Sequence, residues 1–468
     1  LLDSQFLNPH DPDDAVLLNK SRAFSFEKSF SSVLEKREGF DCIIGNPPYG
    51  LSRNNQLSEL ENSKLKQIYS DYRNGKVNKY ILFMARGYEL LNSTGVLSYI
   101  VPNSWLGIDG GKKIRELLLR NNSLAKLTLF TCPVFNEPGV EAVIFEAVKG
   151  KKYSRIELTR RNSIEAAEVK RSEKIPVSYC LASPGSAIPT WWSKDLQRIL
   201  YKLRLNTITL GSKASPFVPL IALQAYARGK GTPPQSAEDV KNHVYDRDYK
   251  EDEYTLPYFK GSDIQRYAYC WSGNYLKYGA WLAEPQTPER FRGPRILLRE
   301  IISTPPYSLI AAYCKETALY NKSVLHILPK LGTSEELVWM LLGILNSKVA
   351  SFIILTQGRK SQRKLFPKIV NADLKDFPIP ANYTTYAGKI ASLSKELTDK
   401  SQLLLTKTEA NNAANQVLSE QIDIRQREID LLVAKAYRLS SRDLDTITGY
   451  LSGKAYAGKP TESRAAVA

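Results

Sequence analysis

Between Phe40 and about Gly150, short β-branched runs alternate with amphipathic stretches. Phe40-Asp41-Cys42-Ile43-Ile44 reads as a buried strand, Asn78 to Leu91 as a helix, Gly95 to Val101 as a second strand and Lys112 to Arg120 as a second helix. Leu124 to Phe130 and Glu141 to Val148 read as further strands. This alternation predicts an α/β unit with a mostly parallel, doubly wound sheet. Over residues 151–190 the rhythm is lost in charged pieces such as Arg160-Arg161 and in Ser183-Pro184-Gly185-Ser186, which predicts a domain boundary. Residues 190–384 are rich in Tyr, Trp, Lys and Arg, with short strand-like pieces at Arg295 to Arg299, Leu309 to Tyr313 and Val324 to Leu328. That composition suits an α+β binding domain. From Tyr386 the pattern is helical, with Ile390, Leu393, Leu397 and Leu404 on one stripe, a break at Asn411 to Asn415, then Ile422, Ile429, Val433 and Ala436. Two packed helices are expected there, followed by a disordered tail.

Composition narrows the partners. The 468 residues carry 65 Lys and Arg against 48 Asp and Glu, a net charge of +17. A hydrophobic fraction of 43% supports real cores and excludes a disordered chain. The basic excess points to nucleic acid rather than a membrane surface, because no basic helix with a bulky apolar face stands out. The longest apolar run, Leu337 to Leu345, is too short to span a bilayer, so a soluble protein is expected. Cys42, Cys132, Cys180, Cys270 and Cys314 form no CxxC pair, and His10, His243 and His326 are far apart, so neither a disulfide framework nor a metal site is expected. A reducing cytoplasm fits best.

The chemistry-bearing signal is Asn46-Pro47-Pro48-Tyr49, placed directly after a strand, where open α/β sheets bind ligands. Two prolines stiffen the backbone and remove two N–H donors, so the turn presents carbonyl oxygens in a fixed direction. The Asn46 side-chain oxygen and the Pro47 carbonyl could then accept both protons of one –NH2 group, drawing its lone pair out of conjugation. Tyr49 would stack on the ring that bears the amine. For phosphate contacts the strongest candidate is Arg359-Lys360-Ser361-Gln362-Arg363-Lys364, from which Arg359, Lys360, Arg363 and Lys364 are taken. Arg295 and Arg299 are further DNA-binding candidates, with Arg228, Lys230 and Arg292 beside them.

With these residues in view, most of the chain resembles the N6-adenine DNA methyltransferases of the gamma arrangement, in particular the TaqI-like and type IIG restriction-modification enzymes. Asn46 to Tyr49 match the family's Asn/Asp-Pro-Pro-Tyr/Phe motif, and Gly95 to Trp105, containing Val101-Pro102-Asn103, is similar to its next signature. Val134-Phe135 followed by Val140-Glu141-Ala142-Val143 resembles the hairpin whose phenylalanine packs on the target base, which makes Phe135 the second aromatic face. Lys260-Gly261-Ser262-Asp263-Ile264 with Arg266-Tyr267, the Leu-Asn-Ser within Leu341 to Lys348, Leu374 to Pro380, and Ile429 to Asp443 look like TaqI-like specificity-domain pieces in order.

The resemblance implies a Rossmann-like methyltransferase sheet over 1–172, a target-recognition domain over 185–384, a helical segment over 385–456 and a tail over 457–468. It implies methyl transfer from S-adenosylmethionine to N6 of a flipped adenine in double-stranded DNA, by a protein monomeric on DNA. In the family the second proline, here Pro48, packs on the cofactor adenine, and Phe24-Ser25-Phe26 matches the third motif with Ser25 at the often acidic position. The family's Gly-rich cofactor turn has no counterpart before Asp41, and residue 1 is Leu, so the chain reads as a fragment without the N-terminal strands and inactive by itself. Pro12-Asp13 and Glu168-Val169-Lys170 are too distant to form one nuclease motif, which places any nuclease upstream in the parent chain or in a separate restriction subunit. Two alternatives stay open: methyl transfer to another planar amine, on protein glutamine or ribosomal RNA guanine, and a non-catalytic DNA-specificity module.

Overall fold

The computed structural model describes residues 4–21, 24–49, 59–72, 78–135, 141–164, 172–359, 361, 367–406 and 412–457. The chain divides into two compact units, Leu1–Lys194 and Asp195–Ala468.

The first unit is built on a six-stranded sheet: Phe40–Gly45 (β1), Leu91–Pro102 (β2), Leu124–Phe130 (β3), Ala142–Val148 (β4), Arg155–Arg161 (β5) and Ser172–Pro176 (β6). The spatial order is β1-β2-β4-β3-β5-β6. β1 runs parallel to β2 and β3 parallel to β5, whereas β2–β4, β3–β4 and β5–β6 are antiparallel. The sheet is therefore mixed α/β rather than mostly parallel. β4 returns antiparallel to β3 and inserts between β2 and β3.

The crossover between β1 and β2 contains helix Lys79–Glu89, which buries Tyr80, Ile81, Leu82, Met84, Ala85 and Tyr88. A Cβ at Gly87 would lie 2.7 Å from the Tyr99 hydroxyl and 2.9 Å from Leu97 Cδ1, so a larger residue would push those side chains of β2 aside. Helix Lys112–Arg120 adds Ile114, Leu118 and Leu119 to the same core, together with the buried guanidinium of Arg115. Arg115 donates to the carbonyls of Trp105, Ile108 (2.8 Å), Gly185 (2.6 Å) and Ser186 (3.2 Å). Burial lowers its pKa to about 10, so it stays charged at neutral pH.

Three expectations change in this unit. β1 is an edge strand rather than a buried one, with Ile44 79% exposed, because among the described residues it pairs on one side only. β2 begins at Leu91, and the polar Asn92-Ser93-Thr94 that masked its start is used locally: the Asn92 amide donates to Asp41 Oδ1 at 2.7 Å. β5 and β6 lie in the stretch whose charges hid its rhythm. On β5 Ile156 and Leu158 point into the core, while Arg160 reaches the carbonyls of Thr190 and Trp192.

The second unit contains three small sheets. Phe217–Ile221 (β8), Arg295–Arg299 (β12), Ala311–Cys314 (β13) and Val324–Pro329 (β15) form one in the order β13-β12-β15-β8. Asp246–Arg247 (β9), Thr255–Phe259 (β10), Tyr275–Lys277 (β11) and Leu319–Tyr320 (β14) form another, and Thr207–Thr209 (β7) pairs with Pro378–Pro380 (β16). Helices Glu335–Leu345 and Lys348–Gln357 are almost wholly buried against Thr384–Thr406, Asn412–Ala436 and Ser441–Ala457. They meet at 64°, and no single described helix is long and apolar enough to cross a membrane.

The Leu-Asn-Ser piece has a structural job. Asn346, fully buried, accepts from the Ala311 N–H (3.0 Å) and donates to the Ala311 carbonyl (2.9 Å), clasping the helix pair to β13. Asp430 accepts from the Lys348 N–H and the Tyr307 hydroxyl, both at 2.9 Å, which docks Asn412–Ala436 on the start of the next helix. Among the described residues the carboxy-terminal region holds three helices, not two. The extra one, Ser441–Ala457, starts where Asp443 accepts from the Ser440 N–H and from Lys202 and Arg198. Burial alone would raise the Asp443 pKa, but the Lys202 ammonium and the Ser440 donors hold it at about 2.

His326 on β15 is completely buried beside Phe291 and Tyr320, with neither ring nitrogen hydrogen-bonded. Burial, with Arg295 and Arg290 nearby, lowers its pKa from 6.5 to about 3. Because the folded pKa lies below the unfolded one, this site's stability is intact above pH 6.5 and drains away as pH falls toward 3. Replacing His326 by Phe should spare about 2 kcal/mol of the loss between pH 7 and 5, read as urea midpoints at both pH values. Equal losses in the two proteins would mean that the imidazole is protonated without cost.

Candidate active site

β1 and β2 are parallel and in register from Cys42↔Val96 to Gly45↔Tyr99, so their carboxyl ends lie side by side. Asn46-Pro47-Pro48-Tyr49 leaves the sheet at that end. Pro47 is buried, Asn46 and Pro48 are exposed, and Tyr49 is half-buried. Among the described residues, Asn46 has no hydrogen-bond partner for its side chain, which leaves the amide free for a ligand.

Tyr49 is anchored from its far end. Its hydroxyl donates to the Ile100 carbonyl of β2 at 3.1 Å, and burial raises its pKa to about 12, so the phenol stays protonated. The ring of Phe135 meets that of Tyr49 edge to face, with centroids 5.6 Å apart and planes at 73°. These rings come from segments 86 residues apart, yet both overhang the same strand ends.

One contact at this edge was only half legible. Pro102-Asn103 marked the end of β2, but the role of Asn103 emerges from its partners: its backbone N–H meets the Glu141 carbonyl at 2.8 Å and its amide donates to Glu141 Oε2 at 2.6 Å. This pair ties the end of β2 to the segment entering β4, close in sequence to Phe135. Next to it, the Tyr80 hydroxyl and Ser104 Oγ are 3.2 Å apart.

The Ser25 hydroxyl caps the one-turn helix Phe26–Ser29 by accepting from the Lys28 N–H at 3.1 Å, amid the ring contacts Phe24–Phe26 and Phe26–Phe30. The cap takes one lone pair and leaves the O–H and the second lone pair for another partner. Among the described residues no cluster of His, Cys, Asp and Glu is arranged to hold a metal ion.

Residues 4–135 match the Eco57I restriction-modification methylase family, and residues 256–379 match the TaqI-like C-terminal specificity domain. Two segments of the chain are thus similar, in that order, to a restriction-modification methylase and to a TaqI-like specificity domain. This combination is consistent with the TaqI-like type IIG family. Among relatives, RM.MjaORFECS2P of Methanocaldococcus jannaschii is 25% identical over 395 residues, 81% of this chain and 31% of that one. Type II methyltransferase M.HincII of Haemophilus influenzae is 30% identical over 162 residues, 34% of this chain and 32% of that one. The type II restriction enzyme and methyltransferase RM.Eco57I of Escherichia coli is 41% identical over 93 residues, 19% of this chain and 9% of that one. The chain thus spans about a third or less of the length of these relatives. A solved structure of the type IIL restriction-modification enzyme MmeI in complex with DNA aligns with 92% of this chain and 58% of that one, at 10% identity and a TM-score of 0.49.

Within the second unit the basic candidates separate. Arg295 is fully buried, its guanidinium donating to the carbonyls of Gly293 (2.8 Å) and Glu316 (2.8 Å), so it is a core brace and cannot reach a phosphate. Sequence alone could not show this, because a strand-borne arginine looks alike on either face. Arg359 donates to Asp373 at 3.0 Å and to Asp376 at 2.6 Å, and these carboxylates, Asp376 foremost, raise its pKa further. Its charge is compensated, which removes it as the free phosphate contact expected. Lys360, Arg363 and Lys364 lie outside the described residues. Arg299 is half-buried with no side-chain partner among the described residues, and Arg228 is exposed.

Replacing Arg295 by Lys keeps the charge but cannot fork between two carbonyls, and should cost about 2–4 kcal/mol of stability in urea melts. Replacing Arg299 by Ala should cost less than about 1 kcal/mol. Reversed costs would contradict the assignment of Arg295 to the core.

Proposed function

We propose that the protein carrying this chain transfers a methyl group from S-adenosylmethionine to the N6 amine of an adenine turned out of double-stranded DNA, within a restriction-modification system. The observation that carries this reading is the exposed, unpartnered Asn46 on a Pro-stiffened turn at the carboxyl end of β1, beside the Tyr49–Phe135 ring pair. The Eco57I methylase match and the type II methyltransferase relatives support it.

An exocyclic amine conjugated with its ring is a poor nucleophile. Asn46 Oδ1 and the Pro47 carbonyl accept its two protons, pulling the nitrogen toward a geometry in which the lone pair points out of the ring plane. As the N–C bond forms, the donor's S–C bond would break and its sulfur would leave as a neutral thioether, while the surplus proton on nitrogen would pass on to water, because the Asn46 and Pro47 oxygens can hydrogen-bond it but are too weakly basic to keep it. Neither proline offers an N–H, so no donor competes for the lone pair.

The aromatic pair holds the base. Two stacking contacts of about 3.5 Å each need ring planes roughly 7 Å apart, so a base held between Tyr49 and Phe135 requires their centroids to part from 5.6 Å. Tyr49 is fixed by its hydrogen bond to Ile100 and Phe135 is not, which makes Phe135 the ring that yields. Extruding a base costs a few kcal/mol, and stacking returns about 1–3 kcal/mol per ring.

S-adenosylmethionine, when bound, supplies the electrophilic methyl. Exposed Pro48 is the residue here that would lie against its adenine, and the Ser25 hydroxyl, which gives one lone pair to a helix cap, keeps its O–H and a second lone pair for the donor.

The test is tritium incorporation into duplex DNA by the protein that carries this chain, with the labelled nucleoside identified after digestion. N6-methyladenine is expected. Asn46→Ala should lower the rate at least about a hundredfold, as loss of a directly engaged catalytic group does, whereas Asn46→Asp keeps an acceptor and a part of the rate. Tyr49→Ala should cost about 5–150-fold, the equivalent of 1–3 kcal/mol of stacking, and Tyr49→Phe only a few-fold. Label recovered in protein glutamine or RNA guanine would select the other planar-amine reading, and equal losses from the two Tyr49 changes would assign the role to its hydroxyl.

A further inference from the structure

We infer that three adjoining turns of the second unit form a rigid basic edge that seats the phosphate backbone of the DNA, with Arg228 at its tip. This rests on the reading of DNA as the substrate and assigns the surface that holds it.

The first turn is the loop from Ala225 to Gln235. Gln235 is 3% exposed and spends its side chain on this loop: its amide donates to the carbonyls of Ala225 (2.7 Å) and Trp281 (2.8 Å), and its oxygen accepts from the Ala227 N–H at 2.9 Å. Gly229 and Gly231 have φ of +76° and +89°, and a Cβ at Gly231 would overlap the Trp281 carbonyl. The loop is exposed yet pinned from below. Arg228 stands on it, exposed and without a partner among the described residues.

The second turn is Asn321–Ser323. Lys322 donates to the Gln224 side-chain oxygen, and Gln224 forms a backbone bridge with Glu284, the carboxylate that pairs with Lys230. The third is Lys260–Asp263, joined to the second by the Gly261 N–H to Ser323 Oγ bond at 2.8 Å. Asp263, 4% exposed, caps it from inside by accepting from the Lys260 N–H at 2.9 Å, which turns Ser262 and the Lys260 ammonium outward.

Charge along this edge is lopsided. Lys260 reaches the neutral oxygen of Asn274 at 3.2 Å and Lys322 that of Gln224, while Glu284 pairs with Lys230 and also feels Lys322. Arg228, Lys230, Lys260 and Lys322 thus face the two carboxylates of Glu284 and Asp263, which leaves a net excess of two positive charges on backbone that is already ordered. A polyanion that binds there does not have to order the loops, which is where flexible basic segments lose affinity. Turns anchored by buried Gln235 and Asp263, rather than a long charged helix face, are what distinguish this edge from the diffuse positive charge of the rest of the chain.

The test compares two triple variants of the full chain in binding a random-sequence duplex, read as the slope of log affinity against log salt. Each lost phosphate contact should lower the slope by about 0.9, so Arg228→Ala, Lys260→Ala and Lys322→Ala together should lower it by about 2–3. Lys389→Ala, Lys395→Ala and Lys435→Ala, which remove the same charge from exposed helix positions, should leave it unchanged. If the edge variant melts early, its three single substitutions carry the test at about 0.9 each. Equal slope changes in both triples, or none in the edge triple, would overturn the inference while leaving DNA as the substrate. A wild-type chain that binds no duplex DNA at low salt would overturn both.

Discussion

The parallel pairing of β1 with β2 is the constraint on which the candidate site depends. Two strands pointing the same way deliver both of their carboxyl ends to one edge, and here those ends carry the Pro-Pro turn on one side and Pro102-Asn103 on the other. The register places Gly45 opposite Tyr99, so the turn leaves the sheet next to Ile100, whose carbonyl then fixes the Tyr49 hydroxyl. Helix Lys79–Glu89 makes the parallel pairing possible, and Gly87 leaves Tyr99 and Leu97 of β2 in place beside it. Antiparallel pairing of the same strands would have sent the two motifs to opposite edges.

Buried polar groups do comparable positioning work through both units. Arg115 gathers four carbonyls from two loops, Asn346 answers both backbone groups of Ala311, and Asp430 receives the N–H at the start of a buried helix. In each case a side chain satisfies main-chain groups that would otherwise be stranded away from water. Asn346 and Asp430 fall in pieces that resemble the TaqI-like specificity domain, and the contacts they make here are with the fold itself.

The distribution of positive charge shows why residue type alone is a poor guide to DNA contacts. Arg295 and Arg359 are arginines in a basic protein, yet one braces the core and the other is held by two carboxylates. Arg228, in a less conspicuous Gly-rich loop, keeps its charge uncompensated. A net charge of +17 describes attraction at a distance, and local pairing decides which cations are left for a phosphate.

Local pattern by itself determined much of this molecule. Lys112–Arg120, Leu124–Phe130 and Arg295–Arg299 occupy the residues that periodicity and β-branching assign to them, and the Asn46–Tyr49 turn follows its strand because two prolines cannot continue one. Where strands hide behind charge, as in β5 and β6, alternation was present but faint, since only every second residue faces the core. Tertiary structure alone decided that β4 would slip between β2 and β3, that Asn103 would clasp Glu141, and that Arg295 would be buried. Each of these joins residues far apart in the chain, and a pattern read over a few neighbouring positions carries no information about which distant segment will lie beside them.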